Sequence, residues 1–281
     1  MKLNLILSLF AATALCVPST EAPGLLSRYE RRSSKARSNP MIPAGTPTKA
    51  EGPDPAAGEI SANPTEYSSN WAGVVLTAPP AGSTFNSVVG TFTVPKPSVP
   101  SGSGSGTYSG TAWVGIDGDT YQNAILQSGV DWSVSSSGGY SYVAWYEWFP
   151  NPQVNFGSLS VTSGDVITVT VKSSSNKKGT ATVENVTTGK SATTTVSAPC
   201  STCTLGGQNA EWIVEDYSEG SSLVPFANFG TVTFTGASAG DSAGGSVGTS
   251  GGTILDIENS SGTVITSVTI PSNSEVQVKY V

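Results

Sequence analysis

Tyr140-Ser-Tyr-Val-Ala-Trp-Tyr-Glu-Trp-Phe-Pro150 decides the fold. Aromatic and β-branched side chains alternate with polar ones, and Pro150 stops the run. An extended chain puts Trp145, Glu147 and Phe149 on one face and Tyr146 and Trp148 on the other, so a single strand feeds two environments. The same short, turn-bounded pattern predicts strands at 71–76, 87–94, 111–116, 122–130, 166–171, 180–186, 210–214, 231–234, 263–270 and 276–281. The Gly-Ser tracts at 101–110 and 236–252 read as loops between them. No stretch keeps a 3.6-residue period over three turns. The expected class is therefore all-β, an antiparallel sandwich or barrel, in one domain.

That domain is expected to span residues 66–281. Ahead of it, Met1-Lys2 is followed by an apolar run from Leu3 to Leu15, with small residues for cleavage around Ala14 and Cys16 or at Ala22. The run falls short of the about 20 apolar residues needed to span a bilayer, so residues 1–16 read as a secretory signal and the product as secreted and extracellular. Residues 17–65 are rich in proline, poor in large apolar side chains, and carry the basic cluster Arg28, Arg31, Arg32, Lys35 and Arg37. Such a stretch cannot bury enough surface to fold by itself and reads as a pro-segment.

The 281 residues include no histidine. This excludes Ser-His-Asp and Cys-His catalysis and every His-based metal site, and neither a metal nor another cofactor is expected. From Ser61 onward six lysines face fifteen acidic residues, with no arginine. A body so acidic repels nucleic acid and anionic membrane surfaces, and tolerates low pH best. Cys200 and Cys203, in Pro-Cys-Ser-Thr-Cys, read as one local disulfide, because the βαβ setting of a CxxC redox site is absent. Asn185-Val-Thr and Asn259-Ser-Ser fit the N-glycosylation acceptor pattern.

Three segments could carry chemistry. On the strand around Ala124-Ile-Leu-Gln-Ser-Gly129, Gln127 shares a face with Ile125. In the opening stretch, Glu147 lies between Trp145 and Phe149, surroundings that raise a carboxyl pKa. In Asn209-Ala-Glu-Trp-Ile-Val-Glu-Asp216, Glu211 and Glu215 share a face with Ile213, and an inward carboxyl in a sheet must be paired or functional. Residue type alone does not choose between Glu211 and Glu215. Asp117-Gly-Asp119 fits a turn held by Asx capping.

Together with Ser68-Ser-Asn-Trp-Ala-Gly73 and Thr111-Ala-Trp-Val-Gly-Ile-Asp-Gly-Asp-Thr120, these segments resemble, in order, the signature blocks of the fungal glutamic peptidases, or eqolisins. The resemblance covers essentially all of residues 66–281. It implies a lectin-like β-sandwich of two long curved antiparallel sheets, with a substrate cleft on the concave face. It also implies a zymogen of an acid endopeptidase, insensitive to pepstatin, with Glu215 and Gln127 as catalytic residues. Trp71, Asp117, Trp145 and Glu147 would line or support the site, and Glu211 is the rival to Glu215. Partners would be protein or peptide substrates and the chain's own pro-segment as inhibitor, released on acidification, around a monomer. Two positions depart from the pattern. Val143 stands where a well-known member has aspartate, and Tyr121 where it has a cysteine, so that member's long-range disulfide should be absent. The rival readings are a sandwich glycoside hydrolase using Glu147 with Glu215 or Glu211, and a non-catalytic lectin-like module.

Overall fold

The computed structural model describes residues 36–44 and 63–281. The expected signal and most of the expected pro-segment lie outside the described residues. Every element named within them is a β-strand. Two eight-stranded sheets dominate. The first runs, in spatial order, Thr65–Ser68, Thr253–Ile257, Trp71–Leu76, Ala210–Glu215, Thr107–Ile116, Ile125–Ser135, Tyr140–Phe149 and Val154–Asn155. The second runs Lys190–Ser197, Lys178–Asn185, Val166–Ser175, Phe85–Thr93, Thr231–Asp241, Glu275–Tyr280 and Thr266–Ser272, with Ser246–Val247 beside Thr231–Asp241. Pairing is antiparallel except for Thr65–Ser68, which lies parallel to Thr253–Ile257.

Alternation sorts the first sheet's side chains into two sets. Even-numbered residues such as Val74, Val114, Leu126, Trp132, Trp148 and Trp212 join Phe92, Val169, Val183, Phe234 and Val278 of the second sheet in the main core. Burying a side chain of this size stabilises the fold by roughly 1.5–3 kcal/mol, so this layer holds the sheets together. Odd-numbered residues build a smaller cluster on the outer face: Trp71, Val75, Trp113, Ile125, Trp145, Ile213 and Leu255. All six tryptophans of the chain are buried, split evenly between the two layers.

Three sequence expectations need correction. The tracts 101–110 and 236–252 are not all loop: the strand Thr107–Ile116 begins inside the first, and Thr231–Asp241 runs into the second across a register shift between Thr235 and Ser238, with Ala237 and Ala239 buried. Small side chains hide these stretches from a reading based on bulky residues. Lys190–Ser197, a polar edge strand, and Thr253–Ile257 were likewise not expected. Asn185 is not a surface sequon. It is buried, its amide donating to Ser160 O at 3.2 Å and Asp165 Oδ2 at 2.8 Å, so no glycan can be added in the folded state. Asn259 does lie exposed, in a turn.

The Cys200–Cys203 disulfide forms. Tyr121 binds the same loop by other means, its hydroxyl donating to Thr204 O at 2.8 Å and its ring lying where a side chain on Gly206 would go.

Candidate functional site

The register of the first sheet sets three rows of side chains across its outer face. One row is Glu211, Gly115, Gln127, Glu147; the next is Ile213, Trp113, Gly129, Trp145; the third is Trp71, Glu215, Thr111, Asp131, Val143. Gln127 and Glu215 therefore stand on a diagonal, with Trp113 between them. Two glycines give the indole its room. A Cβ on Gly129 would come within 2.5 Å of the Trp113 Cβ, and one on Gly115 within 2.7 Å of its ring.

Trp113 donates its indole N–H to Glu215 Oε2 at 2.9 Å, and Trp145 donates to Thr111 Oγ1 at 3.0 Å. Trp71 packs edge-on against Trp113, with centroids 4.9 Å apart. Asp117, with a positive φ of 70°, accepts backbone N–H bonds from Gly206, Gly207, Gln208 and Asn209. It thus anchors the loop that enters the strand Ala210–Glu215, which is a supporting role. Val143 stands opposite Asp131, whose Oδ2 accepts from Gln153 Nε2 at 2.7 Å.

Across this face lies the chain's own stretch Ala36–Ala44. Ala36–Arg37 pairs antiparallel with Ser218–Glu219. Beyond it, every backbone polar group from Ser38 to Ile42 is hydrogen-bonded. Ser38 N donates to Glu147 Oε2 at 3.2 Å, Gln127 Nε2 donates to Ser38 O at 3.4 Å, and Asn39 N donates to Glu215 Oε1 at 3.1 Å. Trp71 Nε1 donates to Asn39 O at 3.0 Å, and Asn70 Nδ2 to Pro40 O at 3.2 Å. Met41 N donates to Gly118 O, Gln122 Nε2 to Met41 O, Ile42 N to Asn70 Oδ1, and Ser69 N to Ile42 O. The site grips a peptide by its main chain, in one direction.

Under this cover Gln127, Glu147, Glu211 and Glu215 are all buried. Burial pushes the Glu215 carboxyl up to about 8, against the pull of its hydrogen-bond donors. Glu211 is driven well above the usual carboxylate range, first by burial and then by Asp117 and Asp119. The two glutamates differ in contacts. Both oxygens of Glu215 accept hydrogen bonds, one from the crossing peptide. Neither oxygen of Glu211 has a hydrogen-bond partner among the described residues, so it makes no hydrogen bond to the peptide. Gln127 Oε1 is likewise a buried acceptor without a partner there.

A family model described as the peptidase A4 family matches residues 69–280. The chain belongs to that family. This peptidase A4 protein is 44% identical to aspergillopepsin-2 of Aspergillus niger over the full length of both chains. It is 39% identical to a scytalido-glutamic peptidase solved with a transition-state analogue inhibitor, with a TM-score of 0.66 over 76% of this chain and 98% of that one. The aspergilloglutamic peptidase of A. niger matches at 50% identity and a TM-score of 0.58, over 62% and 99% of the two chains. Membership removes the glycosidase and lectin readings and makes the expected fold class that of the family. The sequence reading named Trp71, Gln127, Trp145, Glu147, Glu211 and Glu215 on separate strands, and the register sets all six in neighbouring rows of one face. It missed Asn70, Trp113, Gln122 and Ser38-Asn39. Parity along 111–116 held a usable signal for Trp113, since it shares a face with Thr111 and Gly115.

Proposed function

We propose that this protein is an acid endopeptidase in which Glu215 and Gln127 hydrolyse peptide bonds with water as nucleophile, and that the pro-segment blocks the cleft until it is removed. The observation that carries the reading is that Gln127 and Glu215 meet opposite ends of one peptide unit, its carbonyl oxygen and its N–H. Hydrolysis needs a donor at the first and a proton at the second.

As carboxylate, Glu215 takes a proton from water, which adds to the carbonyl carbon. As carboxylic acid, it returns that proton to the departing nitrogen. The Gln127 amide N–H stabilises the tetrahedral oxyanion, a contribution of roughly 3–4 kcal/mol for comparable donors. Its distance of 3.4 Å in the bound ground state leaves room to tighten as charge develops. Gln127 Oε1, buried and unpartnered among the described residues, suits an attacking water. The carboxyl and amide stay competent in acid, where imidazole is lost as a base. The main-chain grip supports protein and peptide substrates of varied sequence, by the logic of strand-like peptide recognition. The acidic body argues against nucleic acid and membrane partners, and the protein is taken to act as a secreted monomer. The solved relative in complex with the tripeptide Ala-Ile-His fits peptide binding on this fold.

The test is digestion of a peptide library from pH 2 to 7, with and without pepstatin. Acid activity indifferent to pepstatin is expected. Activity confined to neutral pH, or abolished by pepstatin, would overturn the reading.

A further inference from the structure

Every backbone polar group from Ser38 to Ile42 is held, yet the peptide units are not held alike. Ser38–Asn39 is the unit whose carbonyl meets Gln127 and whose N–H meets Glu215. The unit before it is held by Glu147 at Ser38 N, and those after it are held by Trp71, Asn70, Gly118 and Gln122. We propose that Ser38–Asn39 is a self-processing bond, the first peptide bond this enzyme cuts in its own precursor. The proposal rests on the Glu215/Gln127 reading and deepens it by naming a substrate.

The geometry fixes direction and register. Arg37 and Ser38 lie on the acyl side, and Asn39, Pro40 and Met41 on the amine side. Water adds across the Ser38 carbonyl, with its oxygen going to carbon and one proton to Glu215. The C–N bond then breaks as that proton passes to Asn39 N, leaving an Asn39 amine and a Ser38 carboxylic acid that carries water's second proton. The acyl product keeps the short pairing of Ala36–Arg37 with Ser218–Glu219. The amine product stays attached to the body and pinned along its rim, with Ile42 on Asn70 and Ser69 and Ala44 N on Tyr67 O. A second cut, between residue 44 and the start of the domain, must follow to clear the cleft.

The same contacts explain how a bond in cleavable register can inhibit. Asn39 N–H occupies the oxygen of Glu215 that a nucleophilic water would need, and burial under the segment keeps this carboxyl protonated in acid, so only its small ionised fraction can take the proton from water. Ser38 is buried, so the docked segment shields its carbonyl from solvent. The first cut is therefore slow compared with turnover of a free peptide.

The experiment is to bring purified precursor to pH 3.5 for timed intervals, and to identify the first new termini by intact mass and N-terminal sequencing. The expected first ends are Ser38 and Asn39, forming at a rate independent of precursor concentration. Asn39→Pro removes the N–H that meets Glu215 and should slow that cut at least tenfold. The same variant, matured by immobilised wild-type enzyme, should digest an unrelated peptide at the wild-type rate. As an independent measure, a synthetic peptide of residues 34–44 should be cut by mature enzyme between its serine and asparagine. A precursor that matures with Ser38–Asn39 intact in its first products, or a peptide cut elsewhere, overturns the proposal and leaves the dyad standing. Self-cleavage at Ser38–Asn39 by precursor carrying Glu215→Gln would instead overturn the dyad.

Discussion

Glu215 is a titrating core residue whenever the cleft is covered, so its replacement by a neutral isostere should change how stability depends on pH. Burial raises its carboxyl from 4.5 to about 8 in the folded precursor. A folded-state pKa above the unfolded value means that the native state holds its proton more tightly. The associated stability is complete below about pH 4.5 and is lost as pH rises towards 8. Every tenfold gain in proton affinity is worth about 1.4 kcal/mol, so full ionisation costs on the order of 5 kcal/mol. In a domain of this size that is about 10–20 °C in melting temperature. The comparison is between precursor carrying Gln127→Ala, which processes itself about 10²–10³-fold more slowly than wild type, and the double variant with Glu215→Gln, both unfolded in urea from pH 3.5 to 8. The glutamine has one acceptor where the carboxyl offers two, so a constant offset of about 1–3 kcal/mol against the double variant is expected at every pH. On top of that offset, the balance should move towards the double variant by several kcal/mol between pH 4.5 and 8. A difference that does not vary with pH would refute the reasoning. Asp216, raised by burial and by Glu215, titrates in both proteins and adds to the fall at high pH in each.

Three further outcomes follow from single contacts. Asp117→Asn puts an amide donor among four backbone N–H groups and should cost about 2–3 kcal/mol by urea denaturation, with the greatest loss of order in the 206–209 loop. Cys200→Ser opens a four-residue loop, so chain entropy sets its cost at about 2 kcal/mol, measured the same way. Glu211 makes no hydrogen bond to the peptide, so Glu211→Gln should keep kcat/KM at pH 3.5 within about tenfold of wild type. A loss as large as that from Glu215→Gln would transfer the catalytic role to Glu211.

Much of the fold was legible because alternation is local. Tyr140–Phe149 and Trp71–Leu76 were predicted to the residue, and parity paired Gln127 with Ile125, Glu147 with Trp145 and Glu211 with Glu215, each within its own strand. Register is not local. Nothing within 210–216 says that Glu215 stands opposite Trp71 and Thr111, while Glu211 stands in the row of Gln127. That pairing separates a carboxyl that meets a peptide from one that meets none, and the choice of Glu215 had to come from a family resemblance. Asn185 failed for a related reason, since a sequon is a three-residue pattern and burial a property of the whole sheet. Residues 38–42 are held chiefly by main-chain hydrogen bonds, which composition cannot reveal, with the Asn39 amide on Ser218 Oγ and Met41 on the outer-face cluster as side-chain contacts.

The most direct test of the central claim is kcat/KM on one peptide at pH 3.5 for wild-type, Glu215→Gln and Gln127→Ala enzymes, each matured by immobilised wild-type protein and folded by circular dichroism. A loss on the order of 10⁴-fold for Glu215→Gln and about 10²–10³-fold for Gln127→Ala is predicted. Either variant turning over at the wild-type rate would contradict the account.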